Sequence, residues 1–191
     1  HLVDYKLSTH VGLADRVLDD LLAGIDSTSS PILKEARQVL SKWDGNSDSG
    51  SKGMLLFYAW AARFNPTNEY NYKVRWDTNR PATTPYGLRD RKHCVELLEK
   101  AANQVKSAFG DLAAPWGNYA RLKRNCLDLP SNGADGSLGI FRVANANFTQ
   151  GLTANINSGD SWVGVIEFGK RVHAKVLLSY GNWSQAKSIH N

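Results

Sequence analysis

The chain has 191 residues, of which 42% are hydrophobic and 21% are charged, and its formal net charge at pH 7 is +5. This length is enough for one domain with a buried core, and this composition excludes disorder as the main state of the chain. The longest apolar run, residues 54–62, is nine residues long and too short to span a bilayer, so we expect no membrane partner.

Apolar spacing predicts three helices before residue 65. Residues 11–25 repeat apolar side chains at alternating spacings of three and four. Ser30-Pro31 then places a cap before a proline at the first helical position, and the helix that follows should bury Ile32, Ala36, Val39 and Trp43. After a polar loop at residues 44–52, residues 54–64 are apolar nearly all round, which predicts a helix buried on most sides.

Residues 65–85 have no clear period and predict a long irregular connection. Thr84-Pro85 repeats the cap-plus-proline signature, which predicts a helix from this point to Gly110. The apolar face of that helix consists of Cys94, Leu98, Ala101, Val105 and Ala108.

Positive charge is concentrated in residues 63–124, where 12 basic residues outnumber 6 acidic ones. A basic region can mark a nucleic-acid partner. However, the signs alternate between Arg89 and Lys100, which is typical of a solvated helix face, so we expect no nucleic acid. In a second interpretation, acidic groups of another chain meet Arg63, Lys73, Arg75 and Arg80.

Four short strands are predicted beyond Pro130, at residues 138–143, 152–156, 161–168 and 172–180. Both faces of the strand at 161–168 are apolar, so we expect it to be covered on both sides, and the chain has too few other strands to do this. The predicted fold class is α+β, with a helical first part followed by antiparallel strands. We expect residues 1–191 to be a single piece of a larger domain, mainly helical over 1–115 and mainly strands over 116–191.

The glycine-rich and cysteine patterns do not specify a site. The run of residues 159–164 has the form G-x-S-x-x-G, one residue too long for a nucleophile elbow. Cys94 and Cys126 match no metal motif, and both a disulfide and a pair of buried thiols stay open. His10 and His173 have neither a cysteine nor a paired carboxylate at ligand spacing. These patterns predict no catalytic, cofactor-binding or metal-binding residue.

Eight short motifs nevertheless occur in one order between about residue 9 and residue 190. They are Trp43-Asp44, Ser51-Lys52-Gly53 before Leu55-Leu56-Phe57, Thr84-Pro85-Tyr86-Gly87-Leu88, Pro115-Trp116-Gly117, Leu129-Pro130-Ser131-Asn132-Gly133, Leu138-Gly139-Ile140-Phe141-Arg142-Val143, Gly159-Asp160-Ser161-Trp162 and Leu178-Ser179-Tyr180-Gly181-Asn182-Trp183-Ser184. As a set they resemble penicillin-acylase-like enzymes, and in particular the acyl-homoserine-lactone and aculeacin acylase branch.

The resemblance implies an N-terminal-nucleophile hydrolase, a four-layer αββα sandwich made when a precursor cleaves itself into a small and a large chain. Its nucleophile is a serine at the start of the large chain, with the α-amino group of that serine as base. His1 is not Ser, Thr or Cys, so it cannot be this nucleophile. The resemblance places the chain in the C-terminal part of the large chain, and we therefore expect none of the family's catalytic residues to fall on this sequence.

The function that follows is a non-catalytic fragment of a periplasmic or secreted acylase for N-acyl compounds such as acyl-homoserine lactones or β-lactam antibiotics. Its partners would be the small chain and the N-terminal part of the large chain. It needs no cofactor, although the resemblance allows a structural calcium elsewhere in the enzyme. We further hypothesise that Trp162 and Phe141 line the acyl pocket, with plain core packing as the alternative. The alternative function is an independent β-rich binding module that presents aromatic platforms.

Overall fold

The computed structural model describes residues 2–124, 127–146 and 153–178. Within these ranges the helices are α1 (Leu2–Lys6), α2 (Gly12–Leu22), α3 (Pro31–Ser41), α4 (Met54–Phe64), α5 (Arg91–Phe109) and α6 (Trp116–Tyr119), with 3-10 turns at Glu69–Asn71 and Gly136–Leu138. The strands are β1 (Tyr72–Val74), β2 (Tyr86–Leu88), β3 (Ala120–Arg124), β4 (Leu127–Pro130), β5 (Ala144–Asn145), β6 (Ala154–Asn155), β7 (Ser158–Gly159), β8 (Trp162–Phe168) and β9 (Val172–Leu178). The α+β class is confirmed.

Helix α4 forms the centre of the core. Nine of its 11 residues are buried, which confirms the burial expected from its nearly uniform apolar sequence. Helix α5 packs along α4 through the predicted apolar face. The residues of that face are buried except Ala108, which is half-buried. The Trp60 indole N–H donates to the Cys94 carbonyl oxygen at 3.0 Å and joins the two helices. No helix in the described ranges combines the length and the apolar character that a membrane span needs.

Helix α3 begins at Pro31 as predicted, but its buried face is rotated from the expected one. Leu33, Ala36 and Leu40 are buried, whereas Ile32 and Val39 are half-buried against the core. The Ser30 hydroxyl does not cap its own helix and donates instead to Glu99 on α5. Contact with α5 therefore sets the rotation of α3.

The predicted helix start at Thr84-Pro85 is wrong. Thr84 closes the preceding loop, because its hydroxyl accepts from the Asp77 N–H at 2.9 Å and donates to the Arg80 carbonyl at 2.8 Å. The next residues form β2, which pairs antiparallel with β1, and α5 begins only at Arg91. Asp90 caps this helix by accepting from the His93 N–H at 2.9 Å. The predicted end is confirmed, since Gly110 takes the left-handed conformation with φ 74°.

The strand predicted at residues 138–143 is also wrong. Residues 136–138 form a 3-10 turn, and Gly139 with φ 72° turns the chain away from an extended path. A Cβ on Gly139 would lie 3.5 Å from the Gly12 Cα, so the turn is packed against the start of α2. Val143 forms a single parallel bridge to Ala134, and the next strand, β5, pairs antiparallel with β7.

The remaining sheets are small. Strands β4, β3 and β6 form a three-stranded sheet in which β3 and β6 run parallel, an exception to the antiparallel expectation. Strands β8 and β9 form an antiparallel hairpin that pairs Trp162 with Leu178 and Phe168 with Val172. The expected strand at 161–168 is confirmed, and the part of the strand predicted at 172–180 that lies beyond residue 178 is outside the described residues.

The β8–β9 hairpin is not covered by the rest of the described chain. Every residue of β9 is exposed, and the exposed fraction of Phe168 reaches 83%. Helix α1 contacts β8 but leaves most of the apolar surface open. The expectation that something outside the chain covers this hairpin stays a prediction.

Candidate functional site

The side chain of Trp43 organises the polar loop between α3 and α4. Its indole N–H lies 2.9 Å from the Asn46 carbonyl oxygen and 2.9 Å from Ser51 Oγ. The Ser51 hydroxyl donates to the same Asn46 oxygen at 2.7 Å. Trp43 and Ser51 are both buried, and a buried polar group left without its partner would cost about 1–3 kcal/mol. The Trp43-Asp44 and Ser51-Lys52-Gly53 motifs are therefore the two ends of one hydrogen-bonded loop.

Gly53 ends this loop and precedes α4 in a conformation that other residues rarely adopt. Its φ is +117°, and a Cβ at this position would lie 2.7 Å from both Cβ and Cγ of Trp43. Glycine is needed here for two independent reasons, the backbone angle and the close approach of the indole.

The Pro115-Trp116-Gly117 motif docks on the loop through backbone bonds. The Trp116 N–H donates to the Ser51 carbonyl at 3.0 Å, and the Gly117 N–H donates to the Ser49 carbonyl at 2.7 Å. A Cβ on Gly117 would lie 2.6 Å from the Pro130 Cβ, so this approach also requires glycine.

Residues 129–133 complete the same site. The Gly133 N–H donates to the Ser47 carbonyl at 2.9 Å, and Asn132 Oδ1 accepts from the Ser49 N–H at 2.7 Å. The Trp116 indole N–H donates to the Gly133 carbonyl at 2.9 Å. We call residues 43–53, 115–117 and 129–133 the motif hub. Four of the motifs that carry the resemblance thus meet in one hydrogen-bonded unit.

Asp160 joins two further motifs. Its Oδ1 accepts from Lys6 Nζ at 2.8 Å, and its Oδ2 accepts from the Val143 N–H at 3.1 Å. Its own N–H donates to the Val143 carbonyl at 3.1 Å, and Arg142 Nη1 lies 3.8 Å from Oδ2. Because the Asp160 side chain is only 16% exposed, this carboxylate is fixed between the 138–143 and 159–162 motifs and α1.

The two aromatic residues assigned to a pocket wall lie on the surface of the described chain. Phe141 is 62% exposed and Trp162 is 56% exposed, so neither belongs to the core that this chain forms. The Trp162 ring folds over Gly164, where a Cβ would lie 2.4 Å from the ring. Neither side chain is buried by the described chain, so a place in an acyl pocket and core packing against other parts of a larger domain both stay predictions.

The described residues offer little for acid–base or nucleophilic chemistry. His10 Nε2 lies 2.7 Å from Asp15 Oδ2, a pair that the sequence interpretation missed, but no described serine, threonine or cysteine side chain is hydrogen-bonded to that ring. Burial raises the pKa of the Cys94 thiol to about 11, which keeps it protonated at neutral pH. Cys126 lies outside the described residues, so the disulfide stays a prediction.

Metal-ligating side chains do not cluster either. In the described ranges, no group of three or more His, Cys, Asp or Glu residues could hold a metal ion. The polar groups of the motif hub bond within the hub and to neighbouring segments such as Thr9, and this arrangement fixes backbone segments against each other.

The order and convergence of these motifs invite comparison with known proteins. A family model described as penicillin amidase matches residues 1–191, the whole chain. The chain belongs to the penicillin amidase family. The resemblance read from the eight motifs is thereby confirmed, and the α+β architecture agrees with a part of an N-terminal-nucleophile hydrolase fold.

Two curated relatives of this penicillin amidase family chain are acylases. An acyl-homoserine lactone acylase PvdQ from Pseudomonas fluorescens (strain Pf0-1) is 26% identical over 194 residues, an alignment that covers 97% of the chain and 25% of the relative. The acyl-homoserine lactone acylase PvdQ from Pseudomonas syringae pv. syringae (strain B728a) is 23% identical with the same coverage. The chain thus spans about a quarter of the length of these relatives.

Proposed function

We propose that the chain is a non-catalytic part of an amide hydrolase that removes the acyl group from N-acyl compounds such as acyl-homoserine lactones or β-lactam antibiotics. The observation that carries this proposal is the penicillin amidase match over all 191 residues, in a chain that spans a quarter of its acylase relatives. The geometry of the motif hub supports it, since the family-like motifs meet there to hold backbone rather than to form a reactive group.

In this proposal the nucleophile is an N-terminal serine on another chain, and its own α-amino group takes the hydroxyl proton. The serine oxygen attacks the amide carbonyl carbon, the amine leaves with a proton, and water then hydrolyses the acyl-enzyme. Fixed N–H donors stabilise the negative oxygen of each tetrahedral intermediate.

The proposed partners are the other chains of the same processed precursor, the small chain and the N-terminal part of the large chain. The β8–β9 hairpin supports this, because Phe168, Val172 and Val176 are each more than half exposed. Exposed apolar patches of this kind mark interaction surfaces. We place the assembled enzyme in the periplasm or outside the cell, as the resemblance implies.

Intact-mass analysis of the purified source protein tests the assembly. We expect companion chains to copurify with this chain, and one of them should begin with serine. The assembly should release free fatty acid from an N-acyl-homoserine lactone, and the 191-residue chain by itself should not. Deacylation by the chain alone would contradict the non-catalytic role, and an inactive assembly on every N-acyl compound would contradict the acylase.

Charge placed on the hairpin tests the partner surface. F168D and V176D should lower the yield of assembled enzyme, since each would bury an unpaired carboxylate in an apolar contact. The matched control is K175E, a charge change at an exposed residue of the same strand. If all three variants assemble equally well, the hairpin is not the contact surface.

One observation favours the alternative, an independent binding module. Trp162 and Phe168 lie on the hairpin as exposed aromatic residues, as an aromatic platform requires. A stable monomer of residues 1–191 that binds a ligand through Trp162 would support that function. Under the acylase proposal we expect the isolated chain to self-associate through the uncovered hairpin.

A further inference from the structure

A basic cleft lies between the β1–β2 hairpin, α2 and the start of α5, and its volume is about 690 Å³. Four cationic side chains line it, and Asp20 is the only carboxylate among its lining residues. The four are Lys73, Arg75, Arg89 and Arg91. The cleft therefore carries a formal surplus of positive charge.

Asp20 is fully engaged by its own neighbours. Its Oδ2 accepts from the Leu88 N–H at 2.9 Å, and its Oδ1 accepts from Arg91 Nη2 at 2.8 Å. The Leu88 hydrogen bond, with help from Arg91 and Lys73, holds the pKa of this carboxyl below its ordinary value. Arg91 is thus paired with Asp20, which leaves Lys73, Arg75 and Arg89 as the cations that could contact a ligand.

These three cations lie on the hairpin side of the cleft. Lys73 belongs to β1, Arg75 directly follows β1 and Arg89 directly follows β2, and together they form the cationic face of the cleft. None of the three forms a salt bridge with any residue in the described ranges.

The hairpin that carries them is held firmly. Tyr72 and Leu88 are buried in the core, and the Arg89 N–H donates to the Asn71 carbonyl at 3.0 Å. The Arg75 guanidinium lies 5.5 Å from the centre of the Tyr70 ring, which restricts it further. Cations on a rigid element bind an anion with less loss of conformational freedom than cations on a mobile loop.

We propose that the basic cleft binds a ligand with at least two oxyanion groups, phosphate or carboxylate. Three cations held on one face repel each other, and a single monovalent anion would leave most of that repulsion in place. Guanidinium groups match the paired oxygens of carboxylate and phosphate groups. The oxyanions come from a free small anion or from acidic side chains of a companion chain. The second source rests on the proposed function, and the first does not.

The first experiment titrates the full chain with pyrophosphate and with citrate at constant ionic strength. Calorimetry should show saturable binding, and K73Q/R75Q/R89Q should weaken it by about a thousandfold, since each lost charged hydrogen bond costs about tenfold. The control K34Q/R37Q/K42Q removes the same charge from exposed residues on and just after α3, and it should bind like the wild type. Circular dichroism verifies that each variant is folded.

The single variants R75Q and R89Q keep the test decisive if the triple variant fails to fold. Each should weaken binding about tenfold. The proposal is overturned if neither anion binds, or if the cleft variants and the α3 control bind with the affinity of the wild type.

The second experiment repeats the titration on the assembled enzyme and separates the two sources. A free ligand is indicated if pyrophosphate or citrate still binds there and binding depends on Arg75. A companion chain is indicated if added anions no longer bind and K73Q/R75Q/R89Q weakens assembly while the α3 control does not. No anion binding combined with normal assembly of the cleft variant overturns the proposal. Deacylation is assayed separately, so loss of the acylase proposal would leave anion binding by the chain intact.

Discussion

The helix pair α4–α5 and the hairpin β8–β9 have similar apolar residues in opposite environments. Trp60 and Phe64 on α4 are 0% and 2% exposed, whereas Trp162 and Phe168 on β8 are 56% and 83% exposed. Helix α4 is surrounded by α3, α5 and α6, while the hairpin contacts mainly α1. An apolar segment needs other residues to pack against it, and the neighbouring elements determine whether its own chain supplies them. Helix α4 is buried by other parts of the same chain, including Ala146, to which Tyr58 donates a hydrogen bond, whereas the described chain leaves most of the hairpin exposed.

The strongest test of this contrast removes one aromatic ring from each region. We expect W60A to lower the free energy of unfolding by about 3–5 kcal/mol, because Trp60 is fully buried, stacks on Phe64 at 4.8 Å and bonds to Cys94. F168A should change it by less than about 0.5 kcal/mol in the isolated chain. Urea denaturation of both variants measures the difference. Equal losses would mean that the hairpin is packed in solution.

The next largest effect concerns the join between the motif hub and α4. G53A should destabilise the chain by about 1–3 kcal/mol, because a methyl group would meet the Trp43 side chain while the backbone is held at positive φ. G50A, in the same loop, has no atom within 4 Å of the added Cβ and serves as the control. Thermal and urea unfolding should separate the two, and a neutral G53A would show that the hub does not support the core.

A smaller effect is expected where the hairpin region joins the helical part. D160N keeps the size of the side chain but weakens its bonds to Lys6 and Val143, which should cost about 1–2 kcal/mol. D19N changes an exposed carboxylate on α2 that forms no side-chain hydrogen bond or salt bridge with the described residues, and it should be near neutral. Urea denaturation compares the two. Equal stability of D160N and D19N would mean that this junction contributes nothing.

The smallest effect is a pH dependence at Asp20, on the helical side. The Leu88 N–H and Arg91 lower the pKa of Asp20 from 3.8 in the folded chain. Stability from the ionised carboxylate is therefore complete above about pH 4 and is lost as the pH falls through the lower, folded value. D20N should be less stable than the wild type at pH 6, and the gap in melting temperature should close toward pH 3. A gap that stays constant with pH would contradict this assignment.

The structural features that depend on local residue spacing could be predicted from the sequence. The face of α5 and the all-round burial of α4 follow from a repeat that any helix imposes on its own sequence. The starts at Ser30-Pro31 and Thr84-Pro85 look alike in sequence, and neither hydroxyl caps a helix. A helix follows Pro31, whereas the residues after Pro85 pair with β1 as strand β2. A local signature contains no information about such partners.

Contacts between distant segments were the part that sequence could not supply. Motif order identified the family, yet nothing in it indicated that Trp43, Trp116 and Gly133 meet. The His10–Asp15 pair was missed because His10 precedes α2, so helical spacing does not apply to it. For the basic cleft a signal did exist: Lys73 and Arg75 alternate as strand residues do, but they lay in a stretch interpreted as irregular.

The connections of the motif hub separate into local and distant ones, which bears on how the chain folds. Trp43 and Ser51 bond to Asn46 within the loop, whereas Ser49 bonds to Asn132 across 83 residues and Ser47 bonds to Gly133. Contacts of high sequence separation form slowly. We therefore expect the local bonds of the loop to form first and its bonds to residues 129–133 to form later, which amide hydrogen exchange during refolding would measure.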